Sequence, residues 1–203
     1  MTCIENVILE VADPAAAERF YSTAFGLDKQ LRLRESQAHT TGFRGFTLSL
    51  TVAQPSTVKG FIDAAVQAGA TPLKPVRKSL WGWGGTVKAP DGTIWKVATS
   101  AKKDTGPDTR QFDQLVLLLG VQDVAASKRF YGERGLTVAK SFGTYVEFAT
   151  PTSPVKFALY GRRALAKDAG VASEGTGSHR IAIGSDRGLF TDPDGFGWEP
   201  SAP

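Results

Sequence analysis

Asp13-Pro-Ala-Ala-Ala-Glu-Arg-Phe20-Tyr21 returns as Asp123-Val-Ala-Ala-Ser-Lys-Arg-Phe130-Tyr131, with Asp, Arg, Phe and Tyr in step. A second pair follows the first at a distance: Ala89-Pro-Asp-Gly-Thr-Ile-Trp95-Lys96 and Asp192-Pro-Asp-Gly-Phe-Gly-Trp198-Glu199. Two motifs repeated in the same order mark two homologous halves. Between them, residues 101–111 are polar, carry Gly106 and Pro107 and lack apolar periodicity, so they read as a linker. The chain therefore divides into a domain over 1–100, a linker over 101–111 and a second domain over 112–203.

Working outward, each half opens on an apolar run, residues 4–11 and 112–121, whose β-branched and leucine content suits a buried strand. Asp13 and Asp123 stand where a side-chain oxygen satisfies the free N–H groups of a helix start, and Pro14 is preset for the first helical position. Ala17, Phe20, Tyr21, Ala24 and Phe25 then recur at helical spacing, and Gly26 supplies the stop. Each half thus begins strand, helix, strand. In the first half a strand over 46–52, a helix over 57–68 and strands near 73–78, 85–89 and 94–99 follow. In the second, residues 137–142, 145–150 and 155–160 alternate as a small antiparallel meander. The repeated Pro-Asp-Gly is a tight turn.

The 203 residues are 41% hydrophobic with a formal net charge of +4. That is ample for one large or two small cores. Lys and Arg are scattered, and no basic stripe interleaved with stacking aromatics marks a nucleic-acid surface. No stretch approaches the roughly 20 apolar residues of a membrane helix. Glu5 and Glu10 near the start do not suit a secretory signal, so the expected compartment is the cytoplasm. A single cysteine, Cys3, excludes an intrachain disulfide and a thiolate zinc cluster. Gly82-Trp83-Gly84-Gly85 lacks the spacing of a phosphate loop, and no Gly-x-Ser-x-Gly occurs.

The Asp-capped helix with Arg19-Phe20-Tyr21 and Gly26-Leu27, its second copy with Arg129-Phe130-Tyr131 and Gly135-Leu136, and the closing Asp192 to Glu199 motif resemble the vicinal-oxygen-chelate superfamily. This is the group of glyoxalases, bleomycin-resistance proteins and extradiol dioxygenases. The resemblance covers nearly the whole chain and implies an α+β fold. Repeated βαβββ modules form curved mixed or antiparallel sheets around a cleft, in two tandem glyoxalase-like domains. The second domain is abridged: far fewer residues separate its strand near Arg180 from Asp192 than separate Val52 from Ala89 in the first half.

Enzymes of that superfamily hold a divalent metal on the first strand of a module and near its last. Here those positions carry Asn6 and Lys96 in the first half, and Lys96 has no lone pair to give a metal. In the second half, Gln114, His179 and Glu199 form the alternative ligand set, for Zn, Ni, Mn or Fe(II). The expectation is that no cofactor is used. The expected partner is a flat hydrophobic or aromatic small molecule, bound by a monomer or homodimer, with neither nucleic acid nor membrane involved. Its ligand-binding residues are Asn6, Phe43, Arg44, Phe46, Trp81, Trp83 and Lys96, with Trp81 and Trp83 as an aromatic lip among glycines. Trp95 and Trp198, on periodic strands, read as core. Two other functions stay open: a metal-dependent lyase, isomerase or dioxygenase, and a non-catalytic scaffold.

Overall fold

The computed structural model describes residues 3–27 and 29–201; residues 1–2, 28 and 202–203 of the two domain spans lie outside the described residues. The first half contains β1 (Ile4–Val11), α1 (Pro14–Phe25), β2 (Leu31–Glu35), β3 (Thr40–Gly42), β4 (Phe46–Thr51), α2 (Pro55–Gln67), β5 (Thr71–Ser79), β6 (Gly82–Lys88) and β7 (Ile94–Thr99). The second contains β8 (Gln114–Val121), α3 (Val124–Glu133), β9 (Val138–Phe142), β10 (Tyr145–Phe148), β11 (Val155–Gly161), α4 (Arg162–Ala169), β12 (Gly175–Gly177), β13 (Ile181–Ser185), β14 (Phe190–Thr191) and β15 (Gly197–Pro200).

The repeated motif forms its helices as its spacing predicts. Asp13 accepts from the Ala16 N–H at 2.9 Å and Asp123 from the Ala126 N–H at 3.0 Å. Gly26 closes α1 at φ 63°, a left-handed conformation that glycine adopts without steric cost. The buried face of α1 is the set Ala17, Phe20, Tyr21, Ala24 and Phe25. Helix α2 has no side-chain cap of its own. Its cap comes from the linker, where Asp104 accepts from the Ser56 N–H at 2.7 Å.

The sheets interlock the two halves. An eight-stranded sheet has the order β5-β6-β7-β4-β8-β11-β10-β9, and a five-stranded sheet the order β14-β15-β13-β1-β2. Within the first, β4α2β5β6β7 and β8α3β9β10β11 are complete βαβββ modules, each with its first and last strands parallel, β4 to β7 and β8 to β11. They join through the antiparallel pair β4 and β8. The five-stranded sheet joins two trimmed modules, β1α1β2 and β13β14β15, through the antiparallel pair β1 and β13. Between β13 and β14 no helix intervenes, which is the abridgement expected of the second half. Strands β3 and β12 pair with each other.

One hydrophobic core spans both sheets and the helices α1, α2 and α3. Trp95 and Trp198 lie within it, fully buried. Removing such side chains from water contributes about 1.5–3 kcal/mol each. The opposite face of the eight-stranded sheet carries α4. Strand residues alternate faces, so Leu117 and Leu119 enter the main core while Leu118 meets Leu165, Ala166 and Ala169 of α4. Among the described residues no helix is long and apolar enough to cross a membrane.

Candidate functional site

Three residues singled out in the sequence meet in one place. Phe43, Arg44 and Phe46 line a cavity of about 260 Å³ with Lys88, Thr93 and Ile94, and Val171, Ala172 and Glu174 of the segment following α4 border it. Phe43 and Ile94 are buried against Leu165 and Ala169 of α4. The Arg162 guanidinium lies 5.3 Å from the Phe43 ring and donates to the Phe43 carbonyl at 2.7 Å, which fixes the ring's backbone. Arg44 lies over the Pro-Asp-Gly turn of the first half and donates to the Asp91 carbonyl. A Cβ at Gly92 would come within 2.8 Å of its guanidinium, and Gly92 has φ 89°, so that turn position favours glycine twice over. Burial lowers the pKa of Arg44, with Arg180 acting in the same direction and Asp91 opposing.

The other sequence-nominated residues lie elsewhere. Trp81 sits in the turn between β5 and β6, 79% exposed. Trp83 is opposite Thr99 in β7, whereas the cavity is at the other end of β6 and β7, where Lys88 faces Ile94. Lys96 pairs with Asp168 of α4 at 2.7 Å. Asn6 is buried in the five-stranded sheet beside Gly184, where any Cβ would collide with its carboxamide.

The alternative metal set does not fit a metal. Gln114 opens β8 in the eight-stranded sheet, while Glu199 belongs to β15 in the other. Arg34 donates to both Glu199 oxygens, at 3.2 and 3.0 Å, and to Glu10 at 2.8 Å, so a guanidinium already occupies the space between the two carboxylates. His179 stacks on Phe196 at 4.0 Å, and its ring nitrogens face the carbonyls of Arg44 and Asp194. A metal-binding imidazole needs a nitrogen lone pair open to the ion, and here a carbonyl oxygen stands against each nitrogen, at 2.5 and 3.0 Å. Among the described residues no three His, Cys, Asp or Glu side chains cluster to hold an ion.

The repeated motifs prove to be partners of one another. Tyr21 donates to Asp91 at 2.7 Å, and Tyr131 donates to Asp192 at 2.7 Å while accepting from the Trp198 indole at 3.2 Å. The two bonds differ in register because Ala89 stands where the second copy has Asp192. Burial is the largest cause that raises the pKa of both tyrosines well above 10, and burial also raises that of Asp192. These groups tie α1 and α3 to the turns that precede β7 and β15. Both tyrosine rings are buried in the main core.

Sequence reasoning missed Lys88, Thr93, Ile94, Val171, Ala172 and Glu174. The first three flank the Pro-Asp-Gly turn beside Arg44, and that adjacency was the available signal. The last three reach the cavity only because α4 folds back over the sheet.

No family model matches the sequence, and no curated protein does. Solved structures do match in shape. Glyoxalase I from Zea mays superposes with a TM-score of 0.64 at 13% identity, covering 98% of this chain and 91% of that one. A putative dioxygenase from Bacillus subtilis gives 0.55 at 10% identity over 89% of this chain and 69% of its own. Joined to the paired βαβββ modules, this whole-chain likeness shows that the protein has the fold of glyoxalase I.

Proposed function

We propose that this chain is a small-molecule-binding protein of the glyoxalase and bleomycin-resistance type, which takes a flat, largely apolar ligand without the help of a metal. The observation that carries this reading is the cavity itself. Phe43, Phe46, Ile94 and Val171 supply apolar walls, and Arg44 and Lys88 supply a polar edge. Ligand sites are commonly built in this way, with apolar walls and a few polar groups that orient the ligand. Metal independence is supported by the Arg34 guanidinium between Glu10 and Glu199 and by the engaged nitrogens of His179. For the same reason the reaction in the name of glyoxalase I is not carried over to this chain.

A thermal-shift screen of fused-ring aromatics tests the reading, because a ligand that binds only the folded state raises its melting temperature. Val171→Phe narrows the cavity and should weaken the best ligand by about tenfold or more, equivalent to at least about 1.4 kcal/mol. Trp81→Ala, at the far end of the sheet, should leave its affinity unchanged. The opposite pattern, loss in Trp81→Ala with Val171→Phe unaffected, would return the site to the aromatic lip.

A further inference from the structure

We infer that the ligand of this cavity carries an anionic group, a carboxylate on a one- or two-ring apolar body, and that Arg44 is the residue that neutralises it. The inference rests on the binding role proposed for the cavity and adds the chemical class of its occupant.

Arg44 is a charged wall residue with an incomplete set of partners. Its Nη2 donates to the Asp91 carbonyl, but its Nη1 is buried and has no acceptor. The Asp91 carboxylate offsets part of the Arg44 charge through space, but its oxygens accept from Tyr21 at 2.7 Å and from Thr93 at 2.9 and 3.1 Å and form no ion pair with the guanidinium. Arg180 stands behind it in the same condition. Its Nε is buried without an acceptor, while its Nη2 donates to the Ser36 carbonyl at 2.5 Å. Neither arginine forms an ion pair among the described residues.

The two belong to one locality, since His179, next to Arg180, holds the Arg44 carbonyl. Arg180 is also kept at φ 54°, a left-handed conformation that costs a side-chain-bearing residue energy. Its backbone is clamped there by the Ser178 hydroxyl at 3.0 Å and by the Glu10 N–H.

A half-buried cation whose innermost N–H lacks an acceptor is costly, and a second like charge nearby adds to the cost. An oxyanion meets both demands at once. It accepts from Nη1 and neutralises the local positive field, which an apolar wall screens little. Turning the guanidinium toward the cavity exchanges at most the Nη2 bond to the Asp91 carbonyl and gives up none at Nη1. Lys88 and Glu174, the other charged residues lining the cavity, are both exposed at its edge, which leaves Arg44 as the charged group set into its wall. The volume of about 260 Å³ limits the body of the ligand to one or two rings.

The test compares 2-naphthoate with its neutral isostere 2-naphthamide, by calorimetric titration of the full chain at low salt. The acid should bind about tenfold or more tightly than the amide in the parent protein. Arg44→Gln should erase that preference while keeping amide affinity within about threefold, and Arg44→Lys should restore part of it. Equal affinities for acid and amide in the parent protein would overturn the inference yet leave the cavity as the binding site. So would a preference that survives Arg44→Gln in a protein with the parent's circular dichroism. Failure of both compounds to bind would overturn the inference together with the reading it rests on.

Discussion

Tyr131, Asp192 and Trp198 are buried together, and the Tyr131 hydroxyl is the partner of both one Asp192 oxygen and the Trp198 indole. Tyr131→Phe keeps the ring but leaves a carboxylate oxygen and an indole N–H without partners, which should cost about 1–3 kcal/mol. Tyr21→Phe should cost less, because Asp91 is only half-buried and keeps both bonds from Thr93. Urea denaturation of the two variants checks the order. The same tyrosines give an alkaline signature. Their folded pKa values lie above the unfolded value of 10, so the stability they contribute is full below about pH 10 and is lost as pH rises beyond it. Ultraviolet titration should therefore show Tyr21 and Tyr131 withheld in the folded protein and released only on alkaline unfolding. Tyr145, pushed up to about 12 by burial and by Glu147, should ionise late as well.

At the scale of the element, α4 is the addition that shapes the site. It lies on the face of the eight-stranded sheet opposite the main core, with Leu165 1% exposed and packed against Gly120. Leu165→Ala should cost about 2–4 kcal/mol, the range for emptying a buried leucine site, and should also weaken aromatic ligands by loosening the support of Phe43. Asp168→Asn removes the partner of Lys96, but both groups are about a third exposed, and so at most about 1 kcal/mol should be lost. Denaturation curves separate the two outcomes. The contrast also explains what the sequence made legible. Asp13 with Tyr21 and Asp123 with Tyr131 were readable because the duplication repeats cap, apolar face and turn together. Helix α4 escaped notice because Arg162, Arg163, Lys167 and Asp168 surround a short apolar stripe made largely of alanine, a pattern that resembles a solvated loop. The short strands β3 and β12 and the two-residue β14 carry too few residues for any period to show.

At the scale of the molecule, the order of the halves along the chain differs from their order in space. Each main sheet takes strands from both halves, because the module edges at β4 and β8, and at β1 and β13, satisfy their backbone groups across the linker. Long-range pairing of this kind leaves no local trace in a sequence, although the closed form of the modules did. The same topology explains the fate of the nominated site. Asn6 and Glu199 went to one sheet and Lys96 and Gln114 to the other, while Phe43, Arg44 and Phe46, adjacent in the chain, stayed together. The most direct measurement of the central claim is a crystal structure of the full chain soaked with 2-naphthoate. The account predicts the ring system between Phe43, Phe46 and Val171 with its carboxylate on Arg44. Density instead at Trp81 and Trp83, or on the face of the five-stranded sheet beside Glu10, Arg34 and Glu199, would contradict it.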